Sequence, residues 1–349
     1  MASTRLRTLL NQSRRSLSRR GVVCQGGNPG SFPQGGAVAL PDHPSFSIST
    51  AAVTTTSEPG VYSTIADFRR ARRSLPRETS VGFVPTMGAL HEGHLDLFRR
   101  ARLECQVVVG SVFVNPAQFA PHEDLDRYPR QLERDLKLLG DEGLVDLVFA
   151  PTRGEMYSPR HRVYVDPLGF DDLPEGVARP GFFRGVATIV TKLLNVVQPD
   201  VAFFGQKDAL QCVLVKRLVE DLDIPVEVVV SETRREADGL AMSSRNTYMS
   251  EVERAAASDV YLSLRAAADT RQRAAEAGRH ASREEVVAAA EAVLSAQPLI
   301  TSVDYVSVGC PATMEELKEI GREGAVVSVA VRLGSVRLID NVVLPALGQ

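Results

Sequence analysis

The chain has 349 residues, 44% of them apolar and 24% charged, the range of a globular protein with room for two ordinary domains. Residues 1–57 carry six arginines against the single acid Asp42, about +5, which leaves about -8 for the remainder of a chain whose formal net charge is -3. An acidic body excludes a general binder of nucleic-acid backbones, and no apolar run approaches the ~18 residues of a membrane span.

Residues 1–20 are rich in Arg and Ser, hold no acid, and place Leu6, Leu9, Leu10 and Leu17 at loosely helical spacing. They are expected to be a targeting segment, mitochondrial in the first instance, with plastid or cytoplasmic locations as alternatives. Residues 21–57 are rich in Gly, Pro, Ser and Thr and read as linker. From about residue 60 strands and helices alternate. Helices are expected over 62–73, 94–103, 126–140, 185–197 and 208–221, and strands over 81–84, 107–114, 147–149, 201–204 and 226–230. The run 107–114 is continuously apolar and β-branched, as in a strand covered on both faces. The pattern implies an α/β fold with a doubly wound, Rossmann-like parallel sheet. After residue 233 the character changes. Residues 251–297 read as two Ala- and Glu-rich helices, 303–308 as a strand, and 325–339 as two adjacent strands, together a smaller C-terminal α+β domain. The domains are therefore drawn at 1–57, 58–233 and 234–349. The cysteines at 24, 105, 212 and 310 have no paired spacing and read as small buried side chains.

Three segments carry chemistry. The loop Pro85 to His94 follows a strand and enters a helix, where unpaired N–H groups and partial positive charge suit a phosphate. Gly88 and Gly93 let backbone approach a ligand, and His91 and His94 can donate to charge developing on phosphate. The alternative for the two histidines is a helix cap and a core position. No third ligand at suggestive spacing supports zinc. In Phe204-Gly205-Gln206-Lys207-Asp208, again between strand and helix, Lys207 offers a point charge; Asp208 either binds a ribose hydroxyl or merely caps the helix. Met242-Ser243-Ser244-Arg245, at the domain junction, suits a phosphate clamp. Asn115 and Gln118 sit beyond a strand's carboxyl end and Gln211 one turn into a helix; these neutral amides suit a small hydroxylated substrate, or are ordinary surface residues.

Several long motifs stand in one order over residues 61–345: Val84-Pro-Thr-Met-Gly-Ala-Leu-His-Glu-Gly-His94, Phe113-Val-Asn-Pro-Ala-Gln-Phe119, Asp126-Arg-Tyr-Pro129, Phe183-Arg-Gly-Val186, Phe204 to Asp208, Arg235 to Asn246 and Arg337-Leu-Ile-Asp-Asn341. In this the chain resembles the pantothenate synthetase (pantoate–β-alanine ligase) family, itself similar in fold to class I aminoacyl-tRNA synthetases. The resemblance implies ATP-dependent condensation of pantoate with β-alanine through a pantoyl-adenylate, with magnesium on the triphosphate and a homodimer formed by the N-terminal domain. It implies that residues 58–233 bind ATP and pantoate and that 234–349 act as a lid. It places ATP against Pro85, Met87, Gly93, His94, Gly205, Lys207, Asp208, Met242, Ser243, Ser244 and Arg245. Catalytic roles fall to His91, His94, Lys207, Ser243, Ser244 and Arg245, and pantoate to Gln118, Gln211 and Asn115. No nucleic acid or membrane partner is implied. Phe182, Gln206 and Leu210 depart from the usual bacterial pattern of histidine, glutamate and glutamine, and the Gln-Lys-Asp-Ala form looks like eukaryotic members. The runner-up is a nucleotidyltransferase of the same superfamily, which shares the His-x-Gly-His loop but needs neither glutamine. A non-catalytic nucleotide- or tRNA-binding module is disfavoured by the acidic body.

Overall fold

The computed structural model describes residues 58–120 and 123–346; the expected targeting segment and linker, residues 1–57, lie outside them. The first half alternates as the hydropathy pattern implies. Its outer part comprises β1 (Gly60–Tyr62), α1 (Ile65–Ser74), β2 (Val81–Thr86), α2 (Glu92–Glu104), β3 (Val107–Val112), α3 (Leu132–Asp141) and β4 (Leu147–Phe149). There follow α4 (Arg153–Met156), α5 (Pro174–Ala178), α6 (Phe182–Val197), β5 (Val201–Gly205), α7 (Ala209–Asp221) and β6 (Glu227–Ser231). The six strands form one parallel sheet in the order β1-β4-β3-β2-β5-β6. From β2 the chain winds outward through β3 and β4, then returns to β5 on the other flank of β2. The winding reverses between β2 and β5, and a crevice forms beyond their carboxyl ends.

The apolar run of β3 is explained by its two covers. Val107 and Val109 join the core beneath α6, while Val108 joins the opposite core with Phe98 of α2. A strand clothed on both faces needs an apolar residue at every position. In α6 twelve of 16 residues are buried, so it is an interior helix wedged against the sheet rather than a surface one.

The second half comprises α8 (Glu251–Ala256), α9 (Ser258–Glu276), β7 (Ala281–Ser282), α10 (Arg283–Ala296), β8 (Ile300–Gly309), β9 (Glu319–Ile320), β10 (Ala325–Leu333) and β11 (Val336–Leu344). Strands β11-β10-β8 make an antiparallel sheet on which α9 and α10 pack, with a core of their own built from Val260, Leu264, Leu294, Val327 and Val329. β10 and β11 are the adjacent pair expected over 325–339, turning at Gly334-Ser335.

Local chemistry explains the differences. The helix expected over 126–140 begins at Leu132, because Pro129 has no N–H and its ring disfavours helical geometry at Tyr128. The helix expected from residue 62 begins at Ile65, where Thr64 caps it by accepting from the Asp67 N–H. The residues before it form β1, an edge strand of three residues that is too short for a period to show. Residues 251–297 make three helices rather than two. Cys105 and Cys212 are buried, and burial pushes their thiols up to about 11 and about 12, which leaves them unreactive near neutral pH.

Candidate active site

A cleft of about 440 Å³ lies at the winding reversal, and every side chain expected at ATP or pantoate lines it. Its walls come from the β2–α2 loop, the turn after β3, the β5–α7 loop, the segment Met242–Arg245 and β11.

The β2–α2 loop is held in shape from outside. Gly88 and Ala89 both have positive φ, 80° and 52°. The carboxylate of Asp135, buried on α3, accepts from the N–H groups of Ala89 and Leu90, both at 2.8 Å. A Cβ at Gly88 would lie 2.9 Å from that carboxylate, so this glycine serves the turn and does not face the cleft as its sequence suggested. His91 is indeed a helix cap, but the cap uses only one ring nitrogen. His91 Nδ1 accepts from the Gly93 N–H at 3.2 Å, and His94 Nδ1 accepts from the His91 N–H at 3.4 Å. An Nδ1 that accepts carries no proton, so each neutral ring holds its proton on Nε2. Burial, then the Lys207 charge, lowers His91 to about 4; burial, then His91 and Lys207, lowers His94 to about 3. The ring centroids are 4.0 Å apart, with the planes tilted by 39°. The cap and phosphate readings are therefore compatible: the backbone takes one nitrogen of each ring and fixes the tautomer of the other.

On the opposite wall Asn115 is 1% exposed and its amide is fully engaged. Its Oδ1 accepts from the Tyr157 hydroxyl at 2.9 Å and the Ala117 N–H at 3.3 Å, while its Nδ2 donates to Gln118 Oε1 at 2.8 Å and the Gly185 carbonyl at 3.2 Å. Asn115 lines the cleft as expected, and its amide is taken up by Tyr157, Gln118 and the backbone, so that it holds the Gln118 amide in place. With Oε1 occupied, Gln118 presents Nε2, whose neighbour is the weak acceptor Met87 Sδ at 3.3 Å. At Gly185 the α6 backbone lies so close to the Ala117 carbonyl that no Cβ fits between them.

Asp208 is the N-cap residue of α7, yet its carboxylate makes no capping bond, which removes the capping alternative and leaves it on the cleft wall. Gln211 lines the cleft, whereas Leu210 is buried in the core, where a glutamine would be desolvated. Phe182 lies beneath Arg179, whose guanidinium carbon is 3.6 Å from the ring centroid. Ser244 Oγ donates to the Ala89 carbonyl at 3.1 Å, which docks the clamp segment on the histidine loop, and Ser243 Oγ caps the following turn by accepting from the Arg245 N–H.

Sequence reasoning missed four residues here. Arg245 is held by Asp124, and Arg179 is held by Glu123 through bonds of 2.8 and 2.9 Å. Tyr128 lies under Arg245, its ring centroid 5.5 Å from the guanidinium carbon. No local signal marks these acids, since their partners are 121 and 56 residues away. The Asp126-Arg-Tyr-Pro motif marked only the neighbourhood.

A parallel sheet with a helix N-terminus, a lysine and an arginine converging beyond its winding reversal defines a phosphate-handling enzyme of the Rossmann-like α/β class. The particular family follows from comparison: the chain belongs to the pantoate-beta-alanine ligase family, whose model matches residues 60–343. It is 54% identical over 284 residues to the pantothenate synthetase of Chloroflexus aggregans, covering 80% of this chain and 98% of that protein. It is 52% identical over 289 residues to that of Chloroflexus aurantiacus, covering 83% and 99%. The solved pantothenate synthetase of Thermus thermophilus superposes with a TM-score of 0.75 at 48% identity, over 81% of this chain and 98% of that one. A pantoate-beta-alanine ligase of Francisella tularensis, solved with beta-gamma ATP and beta-alanine, superposes with a TM-score of 0.67 at 32% identity, over 82% and 97%. The chain is accordingly a ligase, and the nucleotidyltransferase reading falls away. The mitochondrial location expected from residues 1–20 is corrected: the relatives matched are bacterial proteins, which give no support to a mitochondrial address.

Proposed function

We propose that this ligase condenses pantoate with β-alanine in two steps through a pantoyl-adenylate. A pantoate carboxylate oxygen attacks the α-phosphorus of ATP, the bond to the β-phosphate breaks, and pyrophosphate leaves with the electron pair. The β-alanine amine then attacks the acyl carbon, AMP leaves, and the amine's proton passes to solvent as the amide forms. Charge develops on phosphate oxygens in the first step, and the groups aimed there stabilise it: the Nε2–H of His91 and His94, the Lys207 ammonium, and the N–H groups of Arg245 left over from Asp124. Pro85, Met87, Gly93, Gly205 and Met242 shape the nucleotide side, Asp208 serves the ribose, and Ser243 and Ser244 close the phosphate end. Gln118 Nε2 and Gln211 hold pantoate. One observation carries this reading: the phosphate-directed donors and the Gln118 amide donor open into the same cleft.

Mg2+ would enter on the triphosphate and neutralise its charge. Among the described residues no group of three His, Cys, Asp or Glu could cage a metal, which suits an ion held mainly by phosphate oxygens and water. A second core drawn wholly from residues 240–344 supports division near 233/234, with the later part as the lid, while Met314 and Val326 pack into the first core and tie the two parts together. Exposed Val163, Leu168 and Val177 on the N-terminal domain support homodimerisation there, which sedimentation of the purified protein tests. For the reaction, pyrophosphate–ATP exchange that requires pantoate is the expected result. Exchange with an amino acid instead, or none at all, sinks the adenylate.

A further inference from the structure

The Lys207 loop leaves the sheet at the end of β5, and neither of its backbone carbonyls at 206 and 207 finds its partner within that domain. Both are taken by one side chain of the C-terminal sheet. Asn341, in β11 and 3% exposed, donates Nδ2 to the Gln206 carbonyl and to the Lys207 carbonyl, each at 2.9 Å. Its Oδ1 accepts from Gln206 Nε2 at 3.2 Å. The amide is therefore saturated by the loop, and Gln206, a departure from the usual glutamate, supplies the donor that its oxygen needs.

The same strand reaches a second phosphate segment. Asp340 Oδ2 and Oδ1 take Arg235 Nη1 at 2.6 Å and Nη2 at 3.1 Å, and Nη2 also donates to the Asn341 carbonyl at 3.1 Å. Arg235 Nη1 donates to the Gly239 carbonyl at 3.0 Å, and Arg235 pairs with Ala241 across a short hairpin whose next residues are Met242 to Arg245. Asp340 and Asn341 thus bond two segments that both line the cleft. A buried, bidentate carboxylate–guanidinium pair beside a saturated amide has little freedom to rearrange piecemeal.

We infer that Asn341, with Asp340 and Arg235 behind it, is a positioning residue that sets Lys207 and the Ser243–Arg245 clamp in register, so that both phosphate contacts form together. This rests on the reading of Lys207 as a phosphate contact, and the test separates the two. Asn341→Ala, Lys207→Ala and the double variant are compared with the unaltered full chain by ATP dissociation constant and by single-turnover adenylation, after thermal melts establish folding. Asn341→Asp, which keeps the shape but loses both N–H donors, replaces Asn341→Ala should that variant not fold. The expected result is that the Asn341 change weakens ATP about 10-fold and slows adenylation about 10- to 100-fold, with the pantoate dissociation constant changed less than about 2-fold. In the Lys207→Ala background the same change costs clearly less than in the unaltered chain, because one of its two targets is gone. Equal costs in both backgrounds would overturn the positioning role while leaving Lys207 as a phosphate contact. A Lys207→Ala variant with unaltered ATP affinity and adenylation would overturn the underlying reading as well.

Discussion

Arg245 and Asp124 face each other through two parallel hydrogen bonds, Nε to Oδ2 and Nη2 to Oδ1, each of 2.9 Å. Burial alone would raise the Asp124 carboxyl, but the Arg245 bonds and charge outweigh it and hold the carboxyl below its ordinary value. The guanidinium plane is thereby fixed with Nη1 unspent, so the arginine is oriented before a nucleotide arrives. Asp124→Asn should therefore raise the KM for ATP about 10-fold and that for pantoate less than about 2-fold. Steady-state kinetics with each substrate varied in turn would check this; an unchanged ATP KM sinks the orienting role.

The histidine pair makes a prediction about pH. Both rings stay neutral in the folded protein, lowered to about 4 and about 3, whereas an unfolded histidine titrates near ~6.5. The unfolded chain therefore binds more protons below that point. Stability from this pair is fully present above pH ~6.5 and is lost as pH falls through the folded values. Histidine NMR should show neither ring titrating between about pH 5.5 and 8. A midpoint near 6.5 for either would contradict the backbone-held tautomer.

His94→Ala removes an Nε2–H donor together with the acceptor for the His91 N–H. Adenylation should slow by on the order of 10²-fold or more. Rapid-quench measurement of pyrophosphate release reads this directly, and an undiminished rate would refute the role.

Gln118→Glu is a sharper probe than truncation. The oxygen bonded by Asn115 Nδ2 is retained, and the free donor becomes a negatively charged acceptor. The KM for pantoate should rise at least about 10-fold, because a carboxylate substrate then meets a like charge. Comparable rises for pantoate and ATP would argue against pantoate at this wall.

Gly185→Ala tests the wall itself. A methyl group there would overlap the Ala117 carbonyl and press on the Gln118 N–H, both backbone. Overpacking of this kind costs about 1–3 kcal/mol. Chemical denaturation should show that loss, with a higher pantoate KM as Gln118 is displaced. Full stability would mean that α6 and the 115–119 turn can separate freely.

Much of the frame was legible because it is written locally. The run Val107 to Val114 could only be a doubly covered strand, and the loops at 85–94 and 204–208 were visible as strand-to-helix transitions. What stayed hidden depends on partners far along the chain. Asp135 looked like any acid on an amphipathic helix, but its two acceptors shape the loop 45 residues earlier. Asn115 was recognised as belonging to the site, yet composition cannot show that its amide is taken up by Tyr157, Gln118 and the backbone. The histidines posed the same problem: cap and ligand contact were weighed as rivals, and only the use of Nδ1 by the backbone, which leaves Nε2 unspent, makes the two compatible.

The seam between Gly185 and Ala117 also bears on traffic. It is backbone against backbone, with no side chain to swing aside, so the cleft wall is closed at this seam. The acyl-adenylate proposed above would be vulnerable to water, and a closed seam keeps water from reaching it on this side. A loosened seam would make a second opening, and the cost would appear as leakage: ATP consumed and pantoate returned, with no amide to show for it.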